Sequence, residues 1–276
     1  MGEPRPPPSF GRYRDAVLLG AGEMGAVYRA LDPSLGRAVA IKVLTQRAPR
    51  HLERFRREAE VLAKIDHPAI VRIHEVVEAD EEGKGPYIVM EYCPGRLLEA
   101  VLQAGPLPPA QVVSIVRQVA EGLQTAHVRD VVHRDIKPAN LVVSEAGGVK
   151  ILDFGVAWLR DASRDLAGSI VRGTPYYMSP EQAMGQPIDA RSDIYSLGIT
   201  AFEMLTGRRP FEARSKVDVM LLQARAPLPP LRDFDPRLAR IVEKMCAKEP
   251  ADRYPRCDAL VADLDALPRG LGGRGP

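Results

Sequence analysis

The chain has 276 residues, of which 45% are hydrophobic and 27% charged, with a formal charge of +2. That is a globular composition, and its near-balanced charge gives no footing for a nucleic-acid binder or a membrane-surface protein. Three cysteines, Cys93, Cys246 and Cys257, show no metal-ligand spacing and read as reduced thiols of a cytoplasmic protein. No apolar run approaches a membrane span, and the Pro-rich start lacks the apolar core of a signal peptide.

Residues 1–9 and 268–276 read as Pro-rich and Gly-rich disordered tails. Between 12 and 45, β-rich runs alternate with glycine turns, which predicts antiparallel strands at Tyr13 to Leu19, Ala26 to Ala30 and Ala38 to Leu44. Residues 51–65 read as a helix with Phe55, Ala59 and Leu62 as its apolar stripe. Glu58 lies on that same face, where a carboxylate needs a partner, so it is matched with Lys42. Two more strands are expected near Ile70 to Val77 and Tyr87 to Glu91, joined by an exposed acidic loop from Glu78 to Gly85. Met90 to Cys93 would then lead into a second, helical domain.

Residues 109–129 read as an amphipathic helix with Val112, Val116, Val119 and Leu123 on one face. Residues 192–205 are apolar all round, which predicts a buried helix, and Asp193 sits at its start, where a carboxylate can cap free N–H groups. Ahead of that helix stand His133-Arg134-Asp135-Ile136-Lys137-Pro138-Ala139-Asn140 and Asp153-Phe154-Gly155. These are residue types that phosphoryl transfer needs: a proton acceptor, a cation for phosphate, and hard oxygen donors for Mg²⁺.

With Gly20-Ala21-Gly22-Glu23-Met24-Gly25-Ala26-Val27, Val39-Ala40-Ile41-Lys42 and Ser179-Pro180-Glu181, these segments appear in the order seen in the protein kinases, and the chain resembles that family over roughly residues 10 to 267. A lone G-x-G-x-x-G would be weak; five ordered motifs are not. The resemblance implies an α+β, bilobal protein kinase fold, with residues 10–92 as the sheet-containing N-lobe and 93–267 as the mainly helical C-lobe. Wording such as Phe55-Arg56-Arg57-Glu58-Ala59 and Tyr177-Met178-Ser179-Pro180-Glu181-Gln182 looks most like the bacterial eukaryotic-like (Hanks-type) serine/threonine kinases. Many of that group carry a membrane span and a sensor domain after the kinase. This chain has neither, which leaves a soluble member or an excised domain as the two readings.

The same resemblance implies the roles. Asp135 is the base and Lys137 the γ-phosphate contact; Asn140 and Asp153 hold Mg²⁺, for which Mn²⁺ can substitute. ATP would be bound by Leu19, Gly20, Gly22, Gly25, Val27, Ala40, Lys42, Glu58, Glu91, Cys93 and Val142, with Met90 as gatekeeper. His133 would be structural and pack near Phe154. Arg134 beside the catalytic Asp resembles kinases activated by loop phosphorylation, with Ser169 the first choice of phosphosite and Ser163 the second. Thr174, Glu181, Asp193 and Arg253 would be structural: Thr174 at the catalytic pair, Glu181 with Arg253, and Asp193 under the catalytic loop. A lysine at 137 resembles the Ser/Thr rather than the tyrosine kinases. The expected activity is therefore ATP-dependent phosphorylation of Ser/Thr hydroxyls in proteins, including autophosphorylation. Protein substrates are the expected partners, together with dimerisation for phosphorylation in trans. The alternatives are a pseudokinase or nucleotide-binding scaffold, disfavoured because Lys42, Glu58, Asp135, Asn140 and Asp153 are all present, and a small-molecule kinase, disfavoured by Gly173 to Glu181, which resembles a segment that cradles protein substrates.

Overall fold

A computed structural model describes residues 10–22, 25–44, 65–77, 86–154 and 175–268. They fall into two compact units, the first Met1–Asp66 with Val71–Pro94 and the second His67–Ile70 with Gly95–Pro276.

The first unit holds an antiparallel sheet of β1 (Arg14–Gly22), β2 (Gly25–Asp32), β3 (Arg37–Leu44), β4 (Ile73–Val77) and β5 (Tyr87–Glu91), in the order β1-β2-β3-β5-β4. Strand β3 places its β-branched residues, Val39, Ile41 and Val43, at alternate positions. Val39 and Ile41 point into a core with Phe10, Tyr13, Ala30, Tyr87 and Val89, which sends Ala40 and Lys42 to the opposite face. Phe10 closes one end of that core, edge-on to Tyr87 at 5.5 Å.

Strand β4 begins at Ile73, not at Ile70 as the apolar run suggests. Ile70 belongs to the second unit, where it forms a parallel bridge to Ile151 while Ala69 O accepts from Ile151 N at 2.7 Å. The run is one apolar stretch in sequence, but Ile70 is buried in the second unit while Val77, half-buried, packs against the core of the first.

The second unit carries a small sheet of β6 (Arg96–Leu97), β7 (Leu141–Val143) and β8 (Val149–Ile151). Its helices are α1 (Leu98–Leu102), α2 (Pro109–His127), α3 (Pro180–Met184), α4 (Ala190–Thr206), α5 (Lys216–Arg225), α6 (Pro236–Met245) and α7 (Cys257–Asp265). In α2, Val112, Val116, Val119 and Leu123 are buried, as the spacing predicts, together with Ile115. Helix α4 is buried on every side from Ser192 to Phe202 and packs against α2 and α6. It starts at Ala190, two residues before the sequence expectation, and Asp189 caps it by accepting from Arg191 N at 2.8 Å. Asp193 therefore lies inside the first turn and is not the cap. Among the described residues no helix is long and apolar enough to cross a membrane.

Where α4 crosses α6, the spacing is set by Gly198. A Cβ there would stand 2.7 Å from Cys246 Sγ and 2.8 Å from Met245 Cβ. In an open helix Gly→Ala gains about 1 kcal/mol of propensity. Here overpacking of a close contact costs about 1–3 kcal/mol and outweighs that gain. Gly198→Ala is expected to lower the urea midpoint; an unchanged or raised midpoint would show that α6 yields.

Candidate active site

The loop from His133 to Asn140 is hung from α4 by one carboxylate. Asp193 is fully buried, and its Oδ1 accepts from Arg134 N at 2.7 Å while Oδ2 accepts from His133 N at 2.8 Å and from His127 Nε2 at 2.8 Å. Arg134 has φ +66°, a left-handed conformation that costs a non-glycine residue about 1–3 kcal/mol. Its backbone is held on both sides: Asp193 takes its N–H, and its carbonyl accepts from Gln182 Nε2 at 2.8 Å.

His133 is fully buried and lies edge-on to Phe154, ring centroids 4.6 Å apart. Its Nε2–H donates to Leu152 O at 2.8 Å, which leaves Nδ1 to accept from Asp135 N at 3.2 Å. Asp135 is thus fixed at its backbone. Its Oδ2 accepts from Lys137 Nζ at 2.9 Å and from Asn140 Nδ2 at 3.2 Å, and Asn140 Nδ2 also reaches Asp135 O at 2.7 Å. A short 3₁₀ turn over Pro138–Asn140 folds Asn140 back onto Asp135. Asn140 O then accepts from Leu152 N at 2.8 Å, so the stretch ending in Asp153 is tied to the loop at Leu152 through both its N–H and its carbonyl. Asp153 itself has φ +59°, a second left-handed non-glycine residue at this site. Asp135, Lys137, Asn140 and Asp153 are therefore brought together by bonds within the second unit.

The donor chemistry fits a hard divalent cation. Asn140 commits its amide nitrogen to Asp135, which turns its oxygen into the group available to a metal, and Asp153 supplies a carboxylate. Among the described residues no cluster of three His, Cys, Asp or Glu side chains could hold an ion alone. Mg²⁺ ordinarily keeps several waters and is bound through one or two carboxylates plus substrate phosphates.

In the first unit Lys42 is nearly fully buried on β3, registered between Val27 of β2 and Ile88 of β5. Ala40 is buried on the same face, two residues before it. On β1, Leu19 is 51% exposed, Gly20 pairs with Val27, and Gly22 pairs with Gly25. Among the described residues a Cβ on Gly20 would meet no heavy atom within 4 Å, so their packing does not demand glycine there. What the missing side chain leaves is uncovered backbone, the feature a phosphate needs. Glu91 ends β5, its N–H bonded to Arg72 O at 2.8 Å, and Cys93 Sγ lies 3.7 Å from Glu91 O. Val142 is buried in β7 of the second unit. Glu58 and residues 51–64 of the expected helix lie outside the described residues, as do the loop 78–85, Gly155, Ser163, Ser169 and Thr174.

Residues 13–263 match the protein kinase domain model. The chain belongs to the protein kinase family. A probable serine/threonine-protein kinase of Corynebacterium efficiens is 40% identical over 278 residues, 95% of this chain and 42% of that protein. Serine/threonine-protein kinase PknB of Mycobacterium leprae is 40% identical over 281 residues, 98% of this chain and 45% of that protein. The chain thus spans less than half the length of these two relatives. A crystal structure of the Mycobacterium tuberculosis PknI kinase domain is similar at TM-score 0.74 and 29% identity, covering 95% of this chain and 98% of that one.

In this kinase domain Glu181 meets Arg253 in a buried, bidentate pair at 2.7 and 2.8 Å. Arg253 uses all five N–H groups, the other three going to the carbonyls of Ala247, Arg191 and Lys248. Two residues that hold the His133–Asn140 loop escaped sequence reasoning. His127 stands in no motif, yet it completes the Asp193 shell; Gln182, which closes the Tyr177–Gln182 wording but was given no role, holds Arg134 O. The available signal was the arithmetic of a buried carboxylate, which needs more donors than two backbone N–H groups supply.

Burial alone would push the Glu181 carboxyl up, but hydrogen bonds from Arg253 and Ser192 outweigh it and hold it below the usual carboxylate range. The pair's contribution is thus present above the ordinary value of 4.5 and lost as pH falls below it. Arg253→Met strands a buried carboxylate and is expected to cost about 3–5 kcal/mol in urea unfolding. Glu181→Gln with Arg253→Met should recover part of that loss and flatten the acid limb of the stability curve. Equal losses in the single and double variants would contradict this account.

Proposed function

We propose that this chain is a protein serine/threonine kinase that transfers the γ-phosphate of ATP to hydroxyls of protein substrates and of itself. The observation that carries this reading is the loop on which Asp135, Lys137 and Asn140 are bonded together, with Asp153 tied to it through Leu152. The relatives, named as serine/threonine-protein kinases, support it.

Bound ATP with its divalent cation, Mg²⁺ in this proposal and Mn²⁺ as a substitute, supplies the phosphoryl group and a charge-neutralised leaving group. Asp135 orients the acceptor hydroxyl and takes its proton as the new O–P bond forms and the bridging O–P bond to ADP breaks. Lys137, 2.9 Å from Asp135, places a cation at the oxygens of the transferring group. Asn140 and Asp153 are the proposed cation ligands. Nucleotide contacts are assigned to Leu19, Gly20, Gly22, Gly25, Val27, Ala40, Lys42, Glu91 and Cys93 in the first unit, and to Val142 in the second. Glu58 is the proposed partner of Lys42, and residues 10–92 and 93–267 the proposed lobes. Residues 173–181 are assigned to protein-substrate binding. Ser169, or secondarily Ser163, is the proposed autophosphorylation site, with Arg134 as the phosphate's partner. A cytoplasmic location and dimerisation for phosphorylation in trans complete the reading.

Asp135→Asn is nearly isosteric and removes the proton acceptor. Transfer of radiolabelled phosphate to myelin basic protein should fall by about 10²–10⁴. ATP affinity, read by fluorescence titration, should stay within about two-fold, because the lost group serves the hydroxyl and not the nucleotide. Lys42→Met should lose most activity as well. Near wild-type turnover in Asp135→Asn would remove Asp135 as the base; labelling of free small molecules but not of protein would move the chain to another substrate class.

A further inference from the structure

The segment Pro175–Tyr177 is a 3₁₀ turn held from two helices. Helix α4 grips Tyr177: Ser196 Oγ donates to its carbonyl at 2.7 Å, and its hydroxyl donates to Glu203 Oε2 at 2.6 Å. Helix α5 grips the preceding residue by a different device. Gln223 is an amide with no exposed surface, and its Nε2 donates to the carbonyl of Tyr176 and, more weakly, to that of Pro175 at 3.5 Å. Buried amides are rarely placed without a full set of partners, and this one has them.

The orientation of that amide is set from behind. Tyr195, fully buried on α4, donates its hydroxyl proton to Gln223 Oε1 at 2.7 Å. It can do so because its oxygen is already accepting from Lys248 Nζ at 2.9 Å. Lys248 also donates to Gln223 O at 2.7 Å and sits 4.3 Å from the Phe211 ring centroid, so the ammonium braces both the side chain and the backbone of Gln223. The bonds run one way, from Lys248 to Tyr195 to Gln223 to the Tyr176 carbonyl. Reversing the Gln223 amide would set its carbonyl against the Tyr176 carbonyl and its NH₂ against a hydroxyl that is donating. Burial pushes the Lys248 amine down to about 8, with the Arg253 charge acting in the same direction. The charge is therefore held in place at a cost, which the two hydrogen bonds offset in part.

We propose that Gln223, oriented by Tyr195 and Lys248, is a positioning residue for protein-substrate binding that acts by fixing the Tyr176 carbonyl and with it the 175–177 segment. This inference rests on the assignment of residues 173–181 to the protein substrate. Among the described residues Gln223 is hydrogen-bonded to Pro175, Tyr176, Tyr195 and Lys248 and not to Asp135 or Asn140, so its loss should act on substrate affinity and leave the phosphoryl-transfer step alone.

Gln223→Met keeps the length and burial of the side chain but can neither donate to Tyr176 nor accept from Tyr195. With myelin basic protein as acceptor, its KM should rise roughly ten-fold, since a buried carbonyl loses its donor, while kcat and the KM for ATP stay within about two-fold. Tyr195→Phe removes only the hydroxyl that orients the amide, so it should raise the same KM by a smaller factor; it carries the test if Gln223→Met fails to fold in a thermal melt. ATP hydrolysis without acceptor should be unchanged in both. An unaltered acceptor KM in the folded variants overturns the proposal, and so does an equal loss in kcat and in ATP KM, which would mark a general structural effect. If wild-type protein labels no protein acceptor, the kinase reading falls and takes this inference with it; if it does, only the Gln223 assignment is at stake.

Discussion

The second unit depends on one buried carboxylate. Asp193 sits on a helix with no solvent-facing side over most of its length, and a charge in such a place must be met by donors or abandoned. Three N–H groups meet it, at 2.7–2.8 Å, and two of them are the backbone of His133 and Arg134. The requirement runs both ways: the carboxylate is tolerable because the loop comes to it, and the loop holds a strained residue because the carboxylate is there. Removing the donors would leave a buried charge, so this contact is hard to loosen by degrees.

From that point the geometry propagates through short, fully used links. His133 spends one ring nitrogen on Asp135 N and the other on Leu152 O; Asn140 spends its amide on Asp135 and its carbonyl on Leu152 N. Base and metal-ligand candidates are thus positioned by protein groups alone. In a reaction with a loose transition state, positioning and electrostatics are most of what a protein can contribute. Two left-handed non-glycine residues, Arg134 and Asp153, mark where backbone strain has been accepted to obtain that positioning.

How much of this was legible in the sequence follows from the range of each interaction. The strands of the first unit and α2 were legible because alternation and helical spacing are local properties of the chain; the two- and three-residue strands β6, β7 and β8 are too short to show alternation and were not foreseen. The kinase motifs were legible because each packs several chemical groups into a few residues. The start of β4 was not, since the apolar run from Ile70 to Val77 carries no mark showing that its first residue bridges to Ile151. The cap of α4 was misplaced for a related reason: Asp189 and Asp193 are both acidic residues near a helix start, and only the fold shows that one turns to the local N–H and the other to a loop 60 residues earlier. His127 and Gln182 were missed because their partners are distant in sequence, and a lone histidine or glutamine announces no role.

The anchors of the 175–181 stretch differ in a way that bears on how such a domain can vary. Glu181 is fixed by a guanidinium with every donor engaged, so no single change at either residue leaves the rest satisfied. That anchor is effectively all or none. Tyr176 is held by a neutral amide, whose replacement leaves an unmet carbonyl but no unpaired charge, a penalty of about 1–3 kcal/mol against about 3–5 kcal/mol for a broken buried ion pair. The stretch is therefore rigid where it joins α3 and adjustable where it meets α5. A fold built in this way can adjust the hold of α5 on the Tyr176 carbonyl without disturbing the carboxylate on α4 that holds the His133–Asn140 loop.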